Sequence, residues 1–154
     1  MRCSATSAST GRRCKLRTCE RFPYCWVHLK SIDGLVVKDS TVPDAGRGLF
    51  ATRRFKRGKR VTKYSGRVVR KGTRGDYVLN INQTQSLDAG GLNNLPGRFI
   101  NDPKGTRRRA NVRFSRSSRI NTDNATGKRY VPIIALRTIQ PGHEVLVNYG
   151  RNYW

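Results

Sequence analysis

The chain has 154 residues, of which 36% are hydrophobic and 15 are glycine, a size and composition that fit one domain with a small appendage. No apolar run approaches the ~20 residues of a membrane-spanning helix, and no signal peptide opens the chain, so we expect a soluble, intracellular protein. Thirty-two Lys and Arg against nine Asp and Glu give a net charge of +23. Such a surface attracts polyanions, so DNA, RNA or a chromatin particle is a more natural environment for it than solvent alone.

The N-terminal segment contains all four cysteines of the chain. A secreted disulfide scaffold would spread its cysteines across the fold, whereas clustering beside a histidine favours metal in a reducing compartment. Zn²⁺ takes four N or S ligands, and a segment this small cannot fold on a hydrophobic core alone. Five candidates compete for four places, and we favour Cys3, Cys14, Cys25 and His28 over Cys19 as structural zinc ligands. Free thiols in a flexible basic tail are the alternative.

Beyond this segment, β-branched and aromatic runs of strand length alternate with turns rich in Gly, Asn, Asp and Pro. The predicted strands are residues 35–37, 48–51, 60–64, 68–69, 77–81 and 131–136. The stretches 97–102 and 144–150 also read as short apolar strands that run into polar turns. The remaining predictions are loops over 82–97 and 102–110 and one or two helical turns near 53–58.

These elements predict a mostly β domain over residues 32–154, preceded by a basic Cys/His segment over residues 1–30. Three segments of the larger part, 46–48, 98–101 and 144–150, resemble in order the motifs of the SET-domain protein lysine methyltransferases. The resemblance implies several small β-sheets around a C-terminal pseudoknot, in which the last segment threads beneath a loop. It also implies that cofactor and substrate enter from opposite faces and meet in a narrow channel.

The resemblance further implies S-adenosylmethionine as cofactor and assigns roles to individual residues. The positions that match its cofactor-binding residues are Arg47, Gly48, Leu49, Tyr64, Asn101 and Asp102, and the position that matches its catalytic tyrosine is Tyr149. Tyr77 matches a less specific position of the family pattern, and an aromatic residue that packs in the core would explain it equally well. The chain departs from the family pattern at Asp102, where histidine is usual, and at Val147, where Tyr or Phe is usual and where a small side chain leaves the number of methyl groups open.

By the same resemblance, the chain is an S-adenosylmethionine-dependent protein-lysine N-methyltransferase, with histones or other nucleoprotein-associated basic proteins as substrates. The alternative is a weak or inactive SET scaffold that serves as a nucleic-acid or chromatin-binding module. We expect a nuclear location (a host nucleus or a virion, if the protein is viral), a nucleic-acid or nucleosome partner for the basic surface, and a homodimer. The family's cysteine-rich extension is missing after Trp154, so Tyr153 and Trp154 or a second subunit would have to close the channel.

Overall fold

A computed structural model of the chain describes residues 2–6, 9–17, 25, 28, 33–90, 96–115, 119–124 and 127–150. Short strands dominate these residues. The strands are β1 (Leu35–Asp39), β2 (Arg47–Ala51), β3 (Arg60–Arg70), β4 (Val78–Asn80), β5 (Gln85–Asp88), β6 (Val112–Phe114), β7 (Asn121–Thr122) and β8 (Arg129–Ala135), and a 3-10 helix spans Pro96–Phe99. In the part of the chain described, no helix is long and apolar enough to cross a membrane.

All strand pairs are antiparallel and form two sheets. Strands β1 and β2 make a two-stranded sheet, in which Leu35 lies opposite Ala51. The larger sheet has the order β4-β5-β3-β8-β6, and β7 pairs with β8 beside this path. The long strand β3 joins its two halves, since residues 60–66 pair with β8 and residues 67–70 pair with β5. The fold class is therefore mostly β with several small sheets, as the sequence predicts.

The main core lies where these sheets meet. Val131, Ile133 and Ala135 alternate along β8 with less buried neighbours, which is the period of a strand with one buried face. Fully buried side chains from the other elements complete this core and include Leu35, Leu49, Phe55, Leu87, Val112, Ile139, Val145 and Val147. A second, much smaller buried cluster contains Cys3, Ala5 and Cys25.

The C-terminal segment runs between parts of the chain that are distant in sequence. The amide of Val145 donates to the carbonyl of Leu49 at 2.7 Å, and the amide of Val147 donates to the carbonyl of Asn101 at 3.0 Å. On the other flank, the carbonyl of Leu146 accepts from the amide of Val112 at 3.0 Å. The segment is thus held among β2, the loop after the 3-10 helix and the start of β6, as the predicted pseudoknot requires.

Several local predictions were wrong. The strands predicted over 60–64 and 68–69 are one strand, β3, and the segment 144–150 forms isolated bridges rather than a strand. Residues 97–102 begin in the 3-10 helix rather than in a strand, and Gly97 packs there so closely on the carbonyl of Lys63 that a Cβ would overlap it. The predicted loop over 82–97 contains β5, whose Ser86 and Leu87 are buried. Residues 53–58 form turns without a helix, and Phe55 instead exchanges two backbone hydrogen bonds with Ile139.

Candidate functional site

Tyr149 lies at the wall of a cavity of about 580 Å³. Its hydroxyl donates to the carbonyl of Ile100 at 2.6 Å, which connects the C-terminal segment to the end of the 3-10 helix. The backbone amide of Tyr149 donates to Oδ2 of Asp102 at 2.8 Å. The tyrosine is therefore fixed at both its hydroxyl and its main chain.

Three further aromatic side chains, Tyr64, Tyr77 and Phe114, line the cavity together with glycines and polar residues of the segment 72–80. Tyr64 and Phe114 pack edge to face with ring centroids 5.6 Å apart, and both line the cavity. The hydroxyl of Tyr64 donates to the carbonyl of Tyr77 at 2.8 Å. The guanidinium of Arg98 lies over the ring of Tyr77, 4.3 Å from its centroid. The cavity thus has an aromatic part, in which the hydroxyls of Tyr64 and Tyr149 are bonded to backbone carbonyls.

Asp102 occupies the position where the family usually has histidine, and the structure shows what its carboxylate does. The residue is buried, with 8% of its surface exposed. Its Oδ1 accepts from the amide of Lys104 at 2.8 Å while Oδ2 accepts from the amide of Tyr149. A histidine could not accept two backbone amides in this way, because a neutral imidazole has one acceptor nitrogen. Asp102 therefore makes a pair of hydrogen bonds to backbone amides that a histidine at this position could not make.

Asn101 connects the loop after the 3-10 helix to the start of β2. Its amide nitrogen donates to the carbonyl of Arg47 at 2.9 Å and to Oγ of Ser40 at 3.1 Å. Arg47 is exposed and forms an ion pair with Asp39, with 3.5 Å between Nη1 and Oδ1. Two candidate cofactor-binding residues that are 54 positions apart are thus in direct contact.

Glu144 is the buried carboxylate behind this contact. Its Oε1 accepts from Ser40 Oγ at 2.6 Å, and its Oε2 accepts from the amide of Thr41 at 3.0 Å and from the Thr41 hydroxyl. Arg108 donates to the same Oε2 at 3.1 Å. Burial raises the pKa of the Glu144 carboxyl, but the hydrogen bonds from Ser40 and Thr41 outweigh that cost and leave its pKa below the ordinary value. Glu144 is therefore ionised at neutral pH and ties three segments together.

Gly48 is glycine because of this same carboxylate. A Cβ at position 48 would overlap Oε1 of Glu144, whereas a Cβ at Gly46 would meet nothing within 4 Å. Gly46 instead needs its freedom for a φ of 65° in the turn before β2. The two glycines of the motif therefore serve two different purposes.

A second cavity, of about 500 Å³, lies beside Asp102 and the basic loop that follows it. Its lining residues include Asp102, Lys104, Arg108, Arg109, Asn148 and Gly150. Gly150 also lines the first cavity. The two cavities thus approach each other at the end of the described C-terminal segment.

The predicted site residues fall into two contacting groups. Tyr64 and Tyr149 line the aromatic cavity, and Asp102 connects Tyr149 to the second cavity. Arg47 and Asn101 contact each other on the Glu144 side. Arg47, Gly48, Leu49 and Asn101 line neither cavity, and the side chain of Leu49 is fully buried in the core.

Sequence reasoning missed the roles of four residues at the site. They are Ser40, Thr41, Arg108 and Phe114. Arg108 is the middle of three consecutive arginines, and no local pattern distinguishes it from its neighbours. Ser40 and Thr41 precede a predicted turn, which their hydroxyls alone would explain.

The N-terminal cysteines meet in a short antiparallel ladder. Cys3 donates its amide to Leu16, and Cys14 donates its amide to Ala5, so the two cysteines come from facing chain segments. The ligand atoms of Cys3, Cys14, Cys25 and His28 all lie within 4.8 Å of one another. Four ligands around Zn²⁺ lie about 3.3–3.8 Å apart, and Nδ1 of His28 lies 3.2 Å from Cys25 Sγ and 3.6 Å from Cys3 Sγ. The donor set fits zinc, while Cys19 lies outside the described residues.

Burial opposes ionisation of Cys3, but hydrogen bonds outweigh it. The backbone amides of Cys25 and Ala5 and the side chains of Cys25 and Cys14 together lower the pKa of the Cys3 thiol to about 7. Thiolate is the form that binds a metal. Although the hydrogen bond from the Leu16 amide lowers it, the pKa of the Cys14 thiol is raised overall by burial and by the neighbouring Cys3 and Cys25. The geometry of the cluster therefore suits a metal ion, and the Cys3 thiol is the one most readily ionised.

Comparison with known proteins finds solved structures with a similar fold and a matching family model. No curated protein sequence matches the chain. Among solved structures, the fold is similar to a polycomb repressive complex 2 chain from Chaetomium thermophilum (TM-score 0.58, 20% identity, 77% of this chain and 15% of that chain). Similar matches are a form of that complex bound to S-adenosylmethionine (0.58, 20%, 76% and 15%) and one in complex with H3K27me3 and H3K27M (0.59, 22%, 77% and 14%).

The chain spans about 15% of the length of these matched chains, and the likeness concerns the fold. The family model for the SET domain matches residues 46–150, which include both cavities' C-terminal lining, the Gly46–Gly48 turn and Asn101. The match covers more than half of the chain, and the chain therefore belongs to the SET-domain family.

Proposed function

We propose that the protein is an S-adenosylmethionine-dependent protein-lysine N-methyltransferase. One observation carries this proposal. In a chain of the SET-domain family, Tyr149 is fixed at its hydroxyl by Ile100 and at its amide by Asp102, on the wall of an aromatic cavity. A hydroxyl held by a backbone carbonyl at the wall of this cavity is suited to orienting an amine.

Arg47, Gly48 and Asn101 fit the amino-acid part of the cofactor. The Asn101 amide nitrogen is bonded to Ser40 and Arg47, so the amide oxygen at the opposite end of the same planar group is the acceptor presented to an ammonium donor. Leu49, Tyr64 and Asp102 stay predicted contributors, Leu49 through its backbone. The cofactor would supply an electrophilic methyl group on a sulfonium.

The cavity residues would favour the neutral form of the substrate lysine and orient its nitrogen. A lysine ammonium has a pKa of about 10.4 in water and must lose its proton before its nitrogen can act as a nucleophile. The rings of Tyr64, Phe114 and Tyr149 replace water around it, which disfavours the charged form. The hydroxyl of Tyr149 then fixes the direction of the nitrogen lone pair. Alignment of this kind supplies about 7–11 kcal/mol of barrier reduction in well-oriented systems.

We infer that the substrates are histones or other basic proteins carried on nucleic acid. The fold resembles chains of a chromatin complex, one of them in complex with H3K27me3 and H3K27M. A protein of net charge +23 repels a free basic tail, whereas the nucleic acid of a nucleoprotein particle attracts it. A nuclear location follows from this proposal. A homodimer, and channel closure by Tyr153 and Trp154, stay predictions, and both residues lie outside the described part of the chain.

Structural zinc at the N-terminal cluster is part of the same proposal. Cys3, Cys14, Cys25 and His28 would hold it, and a closed set of four protein ligands leaves no position for a catalytic water. The segment over residues 1–30 would then be a small zinc-dependent unit before the SET domain over residues 32–154.

The test is methyl transfer from labelled S-adenosylmethionine to nucleosomes, core histones and a histone-tail peptide. We expect transfer to lysine, faster on nucleosomes than on peptide at moderate salt. Tyr149→Phe should abolish it, while the matched control Tyr130→Phe should not, because Tyr130 lies on β8 outside both cavity linings. Absence of transfer, or transfer unchanged in Tyr149→Phe, would contradict the proposal.

The second candidate function is a non-catalytic SET scaffold that binds chromatin. Asp102 favours it, because both oxygens of this carboxylate are already bonded to backbone amides where the family usually has histidine. Calorimetry with S-adenosylmethionine separates the two functions. A scaffold of this kind binds nucleosomes but gives no heat with the cofactor.

A further inference from the structure

We propose that one defined face of the protein binds the phosphodiester backbone of duplex DNA. This basic face consists of Lys56, Arg57, Lys59, Arg107 and Arg137, all of which are exposed. The choice of DNA among polyanions rests on the proposed function, since histones are carried on DNA. The binding itself does not, because it is measured without any methyl transfer.

Backbone pairing brings the three parts of the basic face together. The successive amides of Ala135 and Leu136 donate to different loops, the first to the carbonyl of Lys59 at 2.9 Å and the second to the carbonyl of Asn111 at 2.8 Å. The loop over 56–59 and the loop over 104–110 therefore lie on either side of the turn after β8. That turn itself carries Arg137.

Hydrogen bonds and a buried side chain hold the loops of the basic face in place. The loop over 56–59 is anchored by Phe55, which is buried and exchanges two backbone hydrogen bonds with Ile139. Across the turn, Arg137 donates to the carbonyl of Ala110 at 2.8 Å. Cations on fixed backbone lose less freedom when they bind than cations on a disordered tail. The arrangement therefore favours a partner with an extended, regular line of charge.

The five cations of the face form no ion pair with an acidic side chain in the described part of the chain, and Asp33 interacts instead with Arg53 and Arg60 beside the loop over 56–59. The segments 53–60, 104–111 and 134–142 contain no Asp or Glu. Three ion pairs lie outside these segments, namely Asp39 with Arg47, Asp88 with Arg67 and Asp123 with Lys63, while Glu144 pairs with Arg108, which is not one of the five cations of the face. The positive charge of the face is thus compensated neither by its own segments nor by these pairs.

The three consecutive arginines over 107–109 have different surroundings. All three arginines are exposed, but Arg108 is engaged by Glu144 and Arg109 lines the second cavity, which leaves Arg107 for the face. Duplex DNA carries one negative charge about every 1.7 Å along its axis, and each phosphate that a cation neutralises releases counterions. A fixed group of five cations without acids matches this partner, whereas a basic histone tail would be repelled.

The test compares two triple variants that remove the same charge. One is Lys56→Gln with Arg57→Gln and Lys59→Gln on the face. The control is Arg67→Gln with Arg70→Gln and Lys71→Gln, at the far end of β3 and roughly 30 Å from Arg60 by strand rise. All six side chains are exposed, so neither variant should lose more than a few degrees of thermal stability, which a melting curve checks.

Binding is measured by fluorescence anisotropy with a DNA duplex of about 20 base pairs over a salt series. We expect the face variant to bind at least about tenfold more weakly at about 0.15 M salt. Each lost phosphate contact should also lower the slope of log K against log salt by about one, for a total of about three. The control should change affinity by less than about threefold. Equal losses in both variants, or no binding by the wild-type protein, would overturn the proposal, as would tighter binding of an RNA duplex of the same length.

A methylation assay keeps this proposal separate from the proposed function. Because no residue of the face lines either cavity, the face variant should methylate a free peptide as fast as the wild-type protein does. It should lose the preference for nucleosomes over peptide. A wild-type protein that binds DNA through the face yet transfers no methyl group would overturn the enzyme and leave the DNA-binding face established.

Discussion

Ser40 donates its hydroxyl proton to Glu144 at 2.6 Å, although 104 residues separate the two in sequence. The bond joins the turn before β2 to the C-terminal segment, and the same Ser40 oxygen accepts from the side chain of Asn101. A buried charge that is fully hydrogen-bonded holds its surroundings in one arrangement. Glu144 is therefore a positioning residue for the candidate cofactor-binding residues rather than a catalytic one.

Glu144→Gln should lower both stability and cofactor affinity. The amide that replaces one oxygen would point N–H groups at the donors of Ser40, Thr41 or Arg108, so at least one charge-assisted hydrogen bond is lost. We expect a loss of about 2–3 kcal/mol in the free energy of unfolding. S-adenosylmethionine should bind about tenfold more weakly by calorimetry, because Asn101 is no longer held in place.

Asp123→Asn is the matched control for Glu144→Gln. Asp123 is also a largely buried carboxylate in an ion pair, with Lys63, but this pair joins the loop after β7 to β3 and takes no part in the Ser40–Asn101 contact. It should lose stability while cofactor affinity stays unchanged. If both variants weaken cofactor binding in proportion to their stability loss, Glu144 has only a general structural role.

The stability that Glu144 contributes should depend on pH. Its pKa in the folded protein is lowered from an ordinary value of 4.5, so the unfolded chain binds this proton more readily. The contribution is therefore fully present above about pH 4.5 and is lost as pH falls through the lowered folded pKa. Urea midpoints of the wild-type and Glu144→Gln proteins should converge over that interval.

This difference measurement isolates Glu144 from other carboxyls. Burial raises the pKa of Asp33 although Arg53 and two other cations oppose the shift, so its contribution has the opposite sign. Asp33 is common to both proteins and cancels in the difference. A gap between the two urea midpoints that stays constant from pH 7 to strongly acidic conditions would show that the Glu144 charge does not contribute.

Asp102→Ala should disturb catalysis through Tyr149. The change removes the acceptor of the amides of Lys104 and Tyr149; because both hydrogen bonds are only partly buried, we expect a cost of about 1 kcal/mol for each. We expect kcat to fall about tenfold or more while the KM for peptide changes little, because small misplacements of a reacting group are costly. Steady-state kinetics with a peptide substrate measures this split.

Asp39→Ala provides the comparison for Asp102→Ala. Its side chain is 94% exposed, and its ion pair with Arg47 is expected to contribute little. Both its stability and its kcat should therefore match those of the wild-type protein. An Asp102→Ala protein with wild-type kcat would mean that the hydroxyl bond to Ile100 alone positions Tyr149.

The sequence predicted the fold where local pattern and long-range order agree. Strand β8 has alternating buried residues, and β1 and β2 have apolar runs bounded by turns, so each could be located directly. The strand β5 could not, because Gln85-Ser86-Leu87-Asp88 has a polar composition and is buried only by its pairing with β3 and β4. The error at Gly97 has a similar cause, since only the neighbouring Lys63 carbonyl requires a glycine there.

The candidate site was predictable in its ordered motifs but not in its connections. Tyr149 and Asn101 lie in segments whose composition and order identify them. The partners Ser40 and Arg108 reach Glu144 across 104 and 36 residues. Such pairings depend on the path of the C-terminal segment, which no local propensity encodes. Asp102 is the clearest example, because its carboxylate accepts a hydrogen bond from the amide of Tyr149, a residue 47 positions away, and the sequence alone does not show that the two are neighbours.

Zinc removal should unfold the N-terminal ladder and leave the SET domain folded. The ladder from Arg2 to Arg17 has two isolated bridges and a buried cluster of three residues, too little apolar surface for independent stability. We expect about one zinc per chain by elemental analysis, lost in Cys25→Ala and retained in Cys19→Ser. Chelation should release the first segment to proteolysis while near-ultraviolet dichroism of the remaining domain persists. Zinc retained in Cys25→Ala but lost in Cys19→Ser would reassign the ligand set, and a chelator-resistant ladder would show that disulfide or packing forces hold it instead.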